Sequence, residues 1–225
     1  RTSPTNIGLG LLATVAARDL GFIDTPAMEA ALDATLTTVE GLERCHGHLL
    51  NWYDTRTLEP LRPAYVSTVD SGNLAAALLT LSAGLRATAP DLAARADALF
   101  EAMDFRFLYD PTRRLLAIGY RLADRDAAAR LDPSYYDLLA SEARLASFIA
   151  IAKGDVPQVH WFHLGRATTN VRGVPVLLSW SGSMFEYLMP LLVMPTFEGT
   201  LLDQTGKTAV ARQIEYGNQR GVPWG

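Results

Sequence analysis

The feature that most constrains this fold is a repeated helical punctuation: a capping residue and a proline open an apolar stripe of helical period, and a glycine or polar loop closes it. Ser3-Pro4 reads as N-cap and first helical residue, followed by Ile7, Leu11 and Val15 on one face, with Gly21 as the stop. Thr25-Pro26 repeats the device ahead of Met28, Leu32, Leu36, Val39 and Leu42. Asp70-Ser71 is the predicted cap of a third helix reaching about Leu85, and Pro90 opens a fourth with Leu92, Ala96, Leu99 and Met103. Asp132-Pro133-Ser134 opens a predicted fifth helix that runs to about Lys153, with Gly154 as its stop. Two more are expected, from Ser183 to Val193 and from Leu201 to Tyr216. Leu49 to Asp54 instead looks extended and then turning, while Phe107–Tyr109, the Asp110-Pro111 turn and Leu115–Tyr120 read as a short hairpin. Asp124 to Arg130 is a polar, Ala-rich insertion. The pattern is all-α, with the chemistry-bearing residues gathered in the connections.

Composition narrows the function. At 225 residues and 49% apolar content the chain can bury a substantial core, and one domain is the natural reading. A net charge of −4 with a pI near 5.6 argues against a nucleic-acid or anionic-membrane partner and leaves a neutral ligand as the easier expectation. Cys45 stands alone, so no internal disulfide is available, and it reads as a small apolar residue near a helix end rather than a nucleophile. The apolar stretch Met184–Met194 is interrupted by Glu186 and Pro190 and falls short of the roughly 18 residues of a membrane span. His46-Gly47-His48 with Asp54, and His160 and His163 around Trp161-Phe162, lack the spacing and partners of a ligand set, so neither metal nor cofactor is expected. No Gly-x-Ser-x-Gly elbow or strand-borne glycine-rich phosphate loop occurs. Arg1 at the start and Val222-Pro-Trp-Gly225 at the end read as a piece of something larger.

The most suggestive segment is Leu178-Ser-Trp-Ser-Gly-Ser-Met-Phe-Glu-Tyr187, where an indole, hydroxyls and one carboxylate crowd a predicted helix start. Such a set suits a sugar, whose ring face stacks on the aromatic while its hydroxyls take the polar groups. The competing explanation is that Ser183 merely caps an apolar helix and Trp180 is core. Tyr135-Tyr136-Asp137 with Ser141, Glu142 and Arg144 is a second polar group, open to reading as a solvated helix face. Asn51-Trp52-Tyr53-Asp54 and Val69-Asp70-Ser71-Gly72-Asn73 are either turn and cap residues or partners for a polyol.

Taken in order, Thr2-Ser-Pro-Thr-Asn-Ile-Gly-Leu9, His48-Leu-Leu-Asn-Trp-Tyr-Asp54, Val69-Asp-Ser-Gly-Asn73, Asp104-Phe-Arg-Phe-Leu-Tyr109, Tyr135-Tyr-Asp-Leu-Leu-Ala-Ser-Glu-Ala-Arg144 and Trp180-Ser-Gly-Ser-Met-Phe-Glu-Tyr-Leu-Met-Pro190 resemble one family across the whole chain. That family is the glucoamylase-like central domain of bacterial cyclic β-1,2-glucan synthases, related to endo-β-1,2-glucanases. The resemblance implies an (α/α)6 toroid with a glucan cleft at its loop ends, of which residues 1–225 form about the first half. It implies a domain that cleaves linear β-1,2-glucan and closes it into a ring. Its neighbours in the parent chain are a membrane-embedded glucosyltransferase and a phosphorylase domain, on the cytoplasmic side of the inner membrane. It also implies a Ser-Glu-Ser segment and a further carboxylate motif beyond Gly225. Within this frame Glu186 is the expected general acid and Glu142 the second carboxylate. Trp52, Tyr53, Tyr135, Trp180 and Trp224 are the expected sugar platforms, with Tyr136 among the substrate contacts. Asn51, Asp70, Asn73, Asp137 and Arg144 are the expected hydroxyl partners. The rivals are a non-catalytic glucan-binding or domain-packing segment, and another (α/α)6 carbohydrate enzyme such as a glycoside phosphorylase.

Overall fold

Several helix starts are explained by a short side chain that accepts from the first free backbone N–H groups. A computed structural model describes residues 1–125 and 127–224, so Asp126, inside the expected polar insertion, and Gly225 lie outside the described residues. Helix α1 (Pro4–Asp19) opens as expected, with the Ser3 hydroxyl accepting from the Asn6 N–H at 3.3 Å. Helix α2 (Thr25–Gly41) is capped one residue earlier than expected, by Asp24, whose carboxylate accepts from the Ala27 N–H at 2.9 Å. Helix α3 spans Thr68–Leu85 and its cap is Ser67, not Asp70. The strand Tyr65–Ser67 pairs antiparallel with Gly119–Arg121, Ser67 opposite Gly119, and this pairing delivers the chain into the helix two residues before the Asp-Ser pair. Asp70 therefore sits in the first turn with its carboxylate free for other partners. Helix α4 (Pro90–Glu101) opens at its proline as expected.

Helix α3 is the axis of the assembly. It packs against α1, α4 and the later helix α5 (Arg144–Lys153), and Leu74, Leu78, Leu81 and Leu85 are all nearly fully buried. A helix enclosed on several sides has little amphipathic contrast, and small residues let its neighbours approach. Gly72 is the closest approach: a β-carbon there would lie 2.5 Å from Ala146 Cα on α5. This contact draws the Asp70 turn of α3 against the chain that enters α5. Gly72→Ala is expected to cost about 1–3 kcal/mol by overpacking. A urea midpoint equal to the wild type's would contradict the contact.

The expected fifth helix is the largest departure. Only its second half, α5, is helical, ending at Gly154 in the left-handed conformation with φ of 84°. Residues 132–143 are extended and turned because their backbone groups pair with other segments. The Ile118 N–H donates to the Ser134 carbonyl at 2.9 Å, Tyr136 N–H to Leu116 at 3.1 Å, and Leu139 N–H to Gly165 at 3.0 Å. Pro133, which disfavours helical geometry at Asp132, and the tyrosines at 135 and 136 favour this extended course. The expected hairpin is present, Tyr109–Asp110 pairing with Leu115–Leu116. A further hairpin, Thr168–Val171 with Val174–Leu177, was not expected; its turn places Arg172 and Gly173 at φ of 55° and 88°.

Beyond α5 come α6 (Val159–His163), α7 (Met184–Leu188) and α8 (Leu201–Arg220). The expected 183–193 helix is α-helical only to Leu188 and tightens to a 3-10 turn over Met189–Leu192. Pro190 removes a donor there, which the shorter geometry tolerates. Among the described residues no helix is long and apolar enough to cross a membrane.

Candidate functional site

Glu142 and Glu186 come from different parts of the chain and lie near enough for the charge of Glu186 to act on Glu142, in contrasting surroundings. Glu186 lies in the first turn of α7, only 8% exposed, inside a loop that wraps its carboxylate. It accepts from the N–H groups of Trp180 (3.0 Å), Ser181 (2.9 Å) and Ser183 (3.3 Å). The hydroxyls of Ser179 (3.2 Å), Ser181 and Ser183 (3.3 Å) donate to it as well. Ser183 and Glu186 also close a reciprocal capping box. Burial works to raise the carboxyl, but the hydroxyl and N–H of Ser181, the N–H of Ser183 and the hydroxyl of Ser179 outweigh it and hold Glu186 below its ordinary value. Glu186 is an anion held mainly through Oε2, while Oε1 accepts only the Trp180 N–H.

Glu142 is the converse. It occupies the turn just before α5, where Ala143 N–H donates to the Ser141 hydroxyl (3.2 Å) and Leu145 N–H to the Glu142 carbonyl (3.1 Å). Among the described residues no donor hydrogen-bonds its carboxyl. Burial first, then the charges of Glu186 and Asp70, push it up to about 7. A carboxyl at about 7 keeps its proton in about half of the molecules at neutrality and is suited to general-acid work. Of the two, Glu142 rather than the expected Glu186 has the surroundings that keep a carboxyl protonated to higher pH. The serines that made that segment look sugar-like are the reason: they ligate the carboxylate themselves.

Asp70 forms the third side. It accepts from the Thr5 hydroxyl at 2.6 Å, and Thr5 in turn accepts from the Asn73 amide at 3.0 Å. With its amide oriented to match its neighbours, Asn51 donates to Asp70 at 3.1 Å and accepts from the Trp52 indole N–H at 3.2 Å. Tyr136 faces the same acids; burial, then Glu142, Asp70 and Asp132, push its phenol up to about 12. Asn51, Trp52, Asp70, Asn73, Tyr136, Glu142 and Glu186 are therefore brought together. Trp180, within the Glu186 loop, is 61% exposed. Thr5 and Asp132 were missed by sequence reasoning, since a lone threonine inside a helix start and an aspartate beside proline each look like capping.

Of the other expected contacts, Tyr53 and Arg144 are sealed from a ligand. Tyr53 is 0% exposed, and its hydroxyl is used up by the Leu50 N–H and the Glu43 carbonyl, both at 2.7 Å, so it is a core residue and not a platform. Arg144 is 4% exposed and donates to the carbonyls of Ser141 (3.1 Å), Glu186 (3.2 Å) and Tyr187 (2.8 Å), so it is not a hydroxyl contact. Trp52 has Arg1 stacked 4.5 Å from its ring centre. The Tyr135 hydroxyl donates to Asp110 at 2.6 Å, tying that ring to the hairpin. Asp137 accepts the Gly165 N–H through its carbonyl, and Trp224 packs beside Gly217 of α8. An apolar cavity of about 170 Å³ borders Arg144, walled by Phe148, Trp161, Tyr187 and Phe197; it has no carboxylate wall and is separate from the acid pair. His48 and His160 are fully buried, and the described residues include no group of three or more His, Cys, Asp or Glu placed to hold a metal ion.

The architecture is that of the glucoamylase-like toroid enzymes. An endo-β-1,2-glucanase from Talaromyces funiculosus, solved with sophorose, superposes with a TM-score of 0.81 at 15% identity over 99% of this chain and 53% of its own. One from Chitinophaga pinensis, solved with sophorotriose and glucose, gives 0.75 at 15% identity over 98% of this chain and 57% of its own. No family model matches the chain. In sequence, it is related along its whole length to the cyclic beta-(1,2)-glucan synthase NdvB of Rhizobium meliloti (strain 1021), at 34% identity. The chain covers 12% of that relative's length.

Proposed function

We propose that this chain is part of a carbohydrate-active domain that cleaves and re-joins β-1,2-linked glucan, as one module of a cyclic β-1,2-glucan synthase. The observation that carries the reading is Glu142, buried with no donor on its carboxyl among the described residues and pushed up to about 7, beside Asp70 and Glu186 where two aromatic connections and a hydroxyl-rich loop converge. Glu142 acts as general acid toward the glycosidic oxygen, and Glu186 is the fixed anion that organises the Trp180 loop and, by its charge, keeps the proton on Glu142. Relatedness to the synthase and the shared fold of two β-1,2-glucanases support the choice of substrate. In this reading residues 1–225 are the N-terminal part of the glucoamylase-like domain. The glucosyltransferase and phosphorylase domains of the parent chain are its partners, at the cytoplasmic face of the inner membrane.

The test is incubation of the complete glucoamylase-like domain, of which residues 1–225 alone are expected to be catalytically incomplete, with linear β-1,2-glucan, following new reducing ends and, by mass spectrometry, ring products lighter by one water. Shorter chains or rings formed without added phosphate are expected. Unchanged glucan, or turnover that requires phosphate and releases glucose 1-phosphate, would overturn the proposal.

A further inference from the structure

We propose that Arg144 is a positioning residue: its guanidinium locks the turn carrying Glu142 to the helix carrying Glu186 and so sets how the two carboxyls face one another. The hydrogen bonds define the lock. One guanidinium nitrogen, Nη1, donates both to Ser141, the residue before Glu142, and to the backbone carbonyl of Glu186 itself. The other, Nη2, donates to Tyr187, one residue further along α7. A single planar fork thus spans both catalytic segments, which no other described hydrogen bond does.

Its surroundings suit fixing rather than binding. No carboxylate lies within ion-pair distance of Arg144 among the described residues, and one side of it faces the apolar cavity walled by Phe148 and Trp161. Burial pushes its guanidinium down to about 10, which still leaves it charged at neutral pH. A buried cation held by carbonyl dipoles alone is a costly arrangement, and breaking such a set is strongly felt. Lysine carries the same charge as a point donor and cannot reproduce a fork that reaches two segments.

The groups facing Glu142 are Glu186 from α7, Asp70 from α3 and Tyr136 from the preceding extended segment. If the lock loosens, the Glu186 charge moves away and Glu142 gives up its proton at lower pH. The kinetic arm of the test rests on the proposed glucan chemistry; the titration arm does not. In the full chain, Arg144→Lys is expected to lower kcat on β-1,2-glucan about 10–100-fold. KM should stay within about two-fold and the high-pH limb of the rate profile should move to lower pH. Independently, the ¹³C carboxyl signal of Glu142, assigned by its loss in Glu142→Gln, should titrate at lower pH in Arg144→Lys. A lower Glu142 titration in a protein inactive on glucan would keep the positioning role and remove the glucan reading. Unmoved titration in Arg144→Lys, whatever its melting temperature, would overturn the positioning role. Should Arg144→Lys fail to fold, Arg144→Gln is read by its kcat against KM: a fall confined to kcat supports the lock, and no fall or an equal effect on both overturns it.

Discussion

Replacing Glu142 by Gln is expected to leave a folded protein whose kcat on linear β-1,2-glucan is reduced roughly 10³-fold, within the range that loss of a positioned general acid produces. The amide keeps the shape but cannot deliver a proton. The loss should therefore shrink sharply on an aryl β-sophoroside, whose leaving group departs without protonation; an equal loss on both substrates would remove Glu142 from that role. The wild type carries a matching pH signature. Because Glu142 sits at about 7, its activity should fall as pH rises through about 7, and that limb should vanish in Glu142→Gln. Stability moves in the related direction. A carboxyl raised in the fold from 4.5 to about 7 opposes folding once it ionises, so the penalty grows across that window and is complete above it. Glu142→Gln should then melt above the wild type at pH 8 and alongside it at pH 4. Destabilising a fold so as to keep a proton in place is a recurring signature of catalytic sites.

The sequence carried the helices more faithfully than the site, and the difference is one of range. Ser3-Pro4 and Pro90 start helices by local rules, and the structure keeps both starts. Asp70 was read as a cap because its type fits one, yet the strand Tyr65–Ser67, paired with a segment more than fifty positions away, sets where α3 begins. Residues 132–143 fail as a helix for the same reason, since the carbonyls they bond lie on other segments. The unexpected hairpin had a local signal in Val171-Arg-Gly-Val174, two central residues able to take positive φ between β-branched neighbours.

Within the site, residue types were legible and protonation states were not. Ser179, Ser181 and Ser183 around Glu186 advertised a polar loop, but only the folded geometry turns all three hydroxyls onto one carboxylate. Glu142 looked like one residue of a solvated helix face. What makes it special is first its burial and then the approach of Glu186 and Asp70, which the Gly72–Ala146 contact and the Arg144 fork help to set. Proximity between distant carboxyls leaves no trace in spacing.

Glu186→Gln supplies the decisive contrast, because it should act on stability where Glu142→Gln acts on chemistry. The anion accepts three backbone N–H groups and three hydroxyls; the amide loses the charge behind all six and, with its oxygen in the place of Oε2, points an NH₂ at the Trp180 N–H. Charged hydrogen bonds of this kind contribute about 1.5–3 kcal/mol each when singly removed and are not additive. A net loss of roughly 2–4 kcal/mol at pH 7 is expected, read as a melting temperature lower by about 5–15 °C. The sign with pH follows from its lowered value: the stabilisation is present above 4.5 and disappears as pH falls through the folded value, so the gap between variant and wild type should close in acid. Opening of the Trp180 loop should appear first, as faster proteolysis near Ser181. If instead Glu186→Gln folds and melts like the wild type at pH 7 but loses glucan cleavage while Glu142→Gln retains it, the acid is Glu186 and the assignment made here is inverted. The two variants therefore separate a carboxylate that holds the site together from one that holds the proton.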